Sequence, residues 1–82
     1  MLKAGDRVKL ITFNGEASPP EDCEPEENYW LLVGEHATVI EPETIYGRAL
    51  IEFEVLVTSK GLYCHNEIPN TLLILESDLL RV

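Results

Sequence analysis

The chain has 82 residues with 15 acidic and six basic side chains, a net charge of −9, and 45% apolar residues. That length allows one domain with a small core, since a chain of this size buries only about 60% of its unfolded surface. The charge argues against nucleic acid as a partner, because phosphate-backbone affinity comes from Lys and Arg. No apolar run is long enough to span a bilayer, so no membrane partner is expected.

The N-terminal stretch MLKAGDRVKL reaches charged residues before any apolar run of secretory length, which makes a cytoplasmic location the expectation. Gly5 and Asp6 open the segment RVKLI, where Val8 and Leu10 alternate with Arg7, Lys9 and Ile11 in the period of a β-strand.

From Phe13 to Asn28 that period disappears. Asn14, Gly15, Ser18, three prolines and six carboxylates cannot supply a buried face or a continuous hydrogen-bond ladder, so a long loop is expected. Between residues 16 and 43 there are nine carboxylates and no Lys or Arg, and five of the nine fall in PEDCEPEEN, residues 20 to 28. A charge run often does no more than keep a domain soluble. Loops this long in compact domains are usually functional or disordered.

YWLLVG leads to Gly34. EHATVIE then reads as a second strand, with Ala37 and Val39 on one face and His36, Thr38 and Ile40 on the other. Pro42 ends it, a turn occupies residues 44–47, and RALIEFEVLV follows as the longest alternating run. There Ala49, Ile51, Phe53, Val55 and Val57 form one face, and Leu50, Glu52, Glu54 and Leu56 the other. After a turn at Ser59 to Gly61, HNEIPN reads as an ordered turn: Asn66 and Asn70 bond nearby backbone, Pro69 fixes the chain and Ile68 tucks into the end of the domain. TLLILE is a fourth strand. Ser77 and Asp78 are expected to cap one helical turn through Leu80, leaving Arg81 and Val82 as a short fifth strand.

Four or five short strands with glycine or proline near the junctions suggest an all-β domain, a small closed or nearly closed barrel. The run of motifs Gly5-Asp6-Arg7-Val8, Gly34-Glu35-His36-Ala37-Thr38-Val39, the strand at 48–57 and Ser77-Asp78-Leu79-Leu80 resembles the Src-homology-3-like barrels, including KOW-type and small bacterial members. The likeness spans nearly the whole chain as a single domain, residues 1–82. It implies five strands, a long loop between the first two and a short helical turn before the last. The small accessory subunit of photosystem I is similar in having a Tyr-Trp pair before its second strand. That subunit is basic, so only its fold carries over.

Chemical motifs are sparse. Cys64, His65 and Asn66 hold the residue types of a cysteine-protease triad, but neighbours in an extended segment point to opposite faces. Cys23, Cys64, His36 and His65 lack the close ligand pairs of a zinc site, and prolines interrupt PEDCEPEEN where a calcium loop must bend. The pairs Glu41/Glu43 and Glu52/Glu54 read as solvated positions rather than glycosidase carboxylates. No catalytic residue, metal or other cofactor is therefore expected, and two cysteines are too few for a disulfide framework. The carboxylates beside Cys23 disfavour its thiolate.

In the Src-homology-3 superfold the first long loop is the recognition loop, and in signalling members it is acidic and reads basic side chains. The resemblance thus implies that Glu16, Glu21, Asp22, Glu24, Glu26 and Glu27, with Tyr29 and Trp30 at the base of the loop, form a surface for Arg and Lys. The expected function is a non-catalytic binding domain for a basic protein, of the immunity or antitoxin kind that covers a nuclease toxin. The alternatives are an accessory subunit of a larger complex and a Cys/His-dependent or metal-dependent enzyme. Trp30 is expected to lie mainly in the core.

Overall fold

The computed structural model describes residues 2–45, 47–64 and 66–82. They form a small all-β domain with five strands, β1 (Arg7–Leu10), β2 (His36–Glu41), β3 (Ala49–Phe53), β4 (Thr71–Ile74) and β5 (Leu79–Arg81). All neighbouring pairs are antiparallel, in the order β4-β3-β2-β1-β5. Among the described residues, regular helical structure is confined to short 3-10 turns at Pro25–Glu27, Tyr29–Leu32, Val57–Lys60 and Glu76–Asp78.

Alternation sets which side chains meet. Val8 lies opposite Ala37, Ala37 opposite Phe53, Val39 opposite Ile51, and Ala49 opposite Ile74. These pairs stack one apolar row across four strands, and Leu32, Val57 and Leu62 from the connections close over it. Each fully buried aliphatic or aromatic side chain contributes about 1.5–3 kcal/mol. A register shift between Val39 and Glu41 brings Glu41 opposite Leu50, so β2 leaves the ladder with a kink.

The third strand is shorter than its alternation suggests. It ends at Phe53, because Asn70 takes over the hydrogen bonds beyond that point. Held at φ 64°, Asn70 donates through Nδ2 to the carbonyls of Phe53 (2.7 Å) and Val55 (2.8 Å), and its Oδ1 accepts from the Val57 amide (2.7 Å). The chain then turns through Val57–Lys60, burying Val57 completely and leaving Leu56 65% exposed. Asn70 therefore bonds backbone far along the chain rather than nearby. Asn66 does bond nearby, to the Thr71 carbonyl at 2.9 Å. Ile68, expected to tuck into the end of the domain, is instead exposed.

The C-terminal end also differs. The helical turn comes earlier, at Glu76–Asp78, and β5 begins at Leu79 and pairs with β1 through Leu10↔Leu79 and Val8↔Arg81. Asp78 caps no helix. Its side chain is fully buried and turned toward the long loop.

Candidate protein-binding site

The connection from β1 to β2 runs from residue 11 to 35 and is anchored at both ends. At its start Phe13 and Glu16 exchange backbone hydrogen bonds (2.8 and 3.1 Å) around Asn14 and Gly15, whose φ angles are 53° and 82°. Two consecutive positive φ values make the tight hairpin turn for which Asn-Gly is the preferred pair. Asp78 fastens this turn from below: its carboxylate accepts from the Thr12 hydroxyl (2.6 Å), the Asn14 amide (2.9 Å) and the Gly15 amide (2.9 Å). Arg48 holds the tip by donating from Nη2 to Asn14 Oδ1 at 2.9 Å.

The end of the loop is anchored by aromatic side chains. Tyr29 packs against the core and donates its hydroxyl to the Tyr63 carbonyl at 2.8 Å, while the Tyr63 amide donates to the Glu26 carbonyl at 3.0 Å. Phe13 joins the two ends of the loop. Its ring lies 5.5 Å from Tyr29 in a tilted contact and 4.9 Å from Trp30 edge-on. Trp30 Nε1 donates to the Glu16 carbonyl at 3.2 Å. Contrary to expectation Trp30 is half-buried and stands outside the core cluster. Leu32, two residues on, takes the core position.

Two open grooves flank Trp30 and Pro20. One, of about 330 Å³, has Phe13, Tyr29 and Trp30 on its floor and Asp22, Glu24 and Glu27 on its rim, with Cys23 between them. The other, of about 450 Å³, runs along Ser18, Pro19 and Pro20 to Glu16. Of the eight residues read from sequence, Asp22, Glu24, Glu27, Tyr29 and Trp30 thus share one groove, and Glu16 meets Trp30 in the next. Glu21 and Glu26 line neither. Phe13 and Pro20 were missed; an aromatic next to an Asn-Gly turn was the available signal.

The electrostatics of the loop are one-sided. The ion pairs among the described residues are Arg7 with Glu54 (2.7 Å), Lys60 with Glu35 (3.4 Å) and Arg81 with Asp6 (3.6 Å), and none involves a carboxylate between residues 16 and 28. Partial desolvation, followed by the charges of Glu27, Asp22 and Glu24, pushes the Cys23 thiol above its ordinary value. Burial and then Glu27 do the same to the Tyr29 hydroxyl. Cys23 is therefore held as the neutral thiol, the less reactive form.

Cys64 donates its thiol to the Thr71 carbonyl at 3.1 Å, and His65, its companion in the triad reading, lies outside the described residues. Among the described residues, no group of three His, Cys, Asp or Glu side chains is gathered in metal-binding geometry, and no helix is long and apolar enough to cross a membrane. No protein-family model, curated protein or solved structure matches the chain. Its function must be read from its own side chains.

Proposed function

We infer that the chain is a non-catalytic protein-binding domain that docks a basic protein through the loop between β1 and β2. The observation that carries this reading is the aromatic groove of Phe13, Tyr29 and Trp30 edged by Asp22, Glu24 and Glu27, whose charges form no ion pair among the described residues. Aromatic faces and carboxylates together suit arginine and lysine, which stack on rings while their charged ends pair with the rim. A loop of this charge also steers a cationic partner, raising association from ~10⁶ toward ~10⁸ M⁻¹s⁻¹ at low salt.

A Src-homology-3-like barrel is the architecture we favour. The strand order β4-β3-β2-β1-β5, the long first connection and the 3-10 turn just before β5 support it. The partner we propose is a toxin of nuclease type, whose site must be electropositive to hold its phosphate substrate. An immunity or antitoxin role in the cytoplasm follows from that partner.

The test is co-purification of the partner from the native source, repeated with rising salt and with the combined variant Asp22→Asn, Glu24→Gln, Glu27→Gln. Binding is expected to weaken steeply with salt and to be lost in the variant. Capture that ignores ionic strength and survives these substitutions would overturn the reading.

A further inference from the structure

A second concave surface lies on the opposite side of the apolar row, on the solvent face of the sheet. Leu50 of β3 pairs directly with Leu73 of β4, and both point away from the buried face formed by Ala49, Ile51 and Ile74. On this face β3 continues with Glu52, as a solvated strand should, so the Leu50–Leu73 pair breaks the pattern. Ile45, 94% exposed, and Ile68, 42% exposed, stand beside it, and the four aliphatic side chains line one groove of about 430 Å³. Single exposed aliphatics are ordinary, but several in one concavity mark a contact surface.

The rim is entirely acidic among the described charged residues: Glu41, Glu43 and Glu67. None of them takes part in an ion pair among the described residues. Arg48, the nearby cation, is engaged with Asn14 Oδ1 and the Leu73 carbonyl.

We propose that this groove is a second docking surface, which receives a basic segment of a partner protein carrying one or two aliphatic side chains. The aliphatic groups sit on Leu50 and Leu73, between Ile45 and Ile68, while flanking Lys or Arg residues meet Glu41, Glu43 and Glu67. Charge decides among occupants. A second copy of this chain would bring another −9 and the same three carboxylates face to face. The groove shares no lining residue with the two grooves of the loop, so its occupancy does not depend on the loop reading.

The experiment is a methyl and amide NMR titration of the full chain with synthetic peptides: one alternating Leu and Lys, one of Lys alone, and one alternating Leu and Glu. The Leu/Lys peptide is expected to shift the methyls of Ile45, Leu50, Ile68 and Leu73. The all-Lys peptide should bind at least about tenfold more weakly and the Leu/Glu peptide not at all, since burial of an aliphatic side chain and charge complementarity are both required. Ile45→Asp, at a position too exposed to affect folding, should weaken the Leu/Lys peptide about tenfold. The loop variant Asp22→Asn, Glu24→Gln, Glu27→Gln should leave the groove methyl shifts in place. Unmoved groove methyls, or equal binding of the all-Lys and Leu/Lys peptides, would overturn the proposal. Shifts confined to Phe13, Tyr29 and Trp30 would overturn it too, while leaving the loop as a binding site.

Discussion

The Thr12 hydroxyl donates a 2.6 Å hydrogen bond to the carboxylate of Asp78, a residue 66 positions further along the chain. Thr12 lies at the start of the acidic loop and Asp78 ends the last 3-10 turn, so one buried carboxylate joins the loop to the turn that leads into the edge strand β5. With the Asn14 and Gly15 amides it satisfies three donors that the turn cannot satisfy itself. A hydrogen bond to a charged group contributes about 1.5–3 kcal/mol, and because Asn14 and Gly15 are exposed, water partly replaces the carboxylate at their amides.

Asp78→Ala is therefore expected to destabilise the fold by about 2–3 kcal/mol, read as a lower urea midpoint with an unchanged slope. Hydrogen exchange at the Asn14 and Gly15 amides should accelerate as well. Thr12→Val removes one donor and leaves two, and should cost about 1–2 kcal/mol. If Asp78→Ala left both the midpoint and the exchange unchanged, the anchoring role would be wrong.

Asn70 offers a separation of side-chain and backbone effects. Asn70→Ala loses the three bonds that end β3 and also places an ordinary residue at φ 64°, whereas Asn70→Gly loses only the bonds. Both should destabilise, Asn70→Ala by about 1 kcal/mol more, because a residue with a Cβ resists the left-handed region. Equal losses in thermal or urea unfolding would remove the backbone contribution.

The pair Arg7 and Glu54 predicts a pH dependence. The hydrogen bonds from Arg7, at 2.7 and 2.9 Å, lower the Glu54 carboxyl from its ordinary value; desolvation opposes them, and the charges of Arg7 and then His36 add to the lowering. A carboxylate lowered on folding adds stability that is present above its unfolded value and disappears as pH falls through its folded one. Both side chains are about half exposed, so solvent screening keeps the effect small. An NMR titration should find the Glu54 midpoint low, and Arg7→Gln should return it toward the ordinary value; an unmoved midpoint would count against the pair.

Cys23 should react slowly with thiol reagents near neutral pH. Desolvation is the first cause of its raised value and Glu27 the second, so Glu27→Gln is expected to speed labelling at Cys23 without restoring the rate of a free thiol. Labelling followed by peptide mass analysis separates Cys23 from Cys64. A rate indifferent to Glu27→Gln would show that its charge does not reach the sulfur.

The all-β architecture was legible because Val8 and Leu10, Ala37 and Val39, and Ala49, Ile51 and Phe53 each alternate cleanly, and a half-buried strand requires that. The loop was legible because three prolines lack the amide a ladder needs and the run of carboxylates among them leaves no alternating apolar face. The end of β3 was not, because Val55 and Val57 continue its alternation and only Asn70, distant in sequence, decides where the ladder stops. Asp78 was misread for a related reason. Next to Ser77 and before two leucines it has the local signature of a cap, and nothing nearby reveals that its three partners lie near the other end of the chain. Trp30 was expected in the core on bulk alone, yet Phe13 and the Glu16 carbonyl hold it at the surface.

The tie from Asp78 to Thr12 also sets an order of events during synthesis. A ribosome delivers residues 12 to 15 long before residue 78, and until that carboxylate emerges the nascent Asn-Gly turn lacks its fastening. The Thr12 hydroxyl and the Asn14 and Gly15 amides thus gain their shared acceptor only once segments more than sixty residues apart have met, so the loop takes its anchored form late, as a product of the folded sheet.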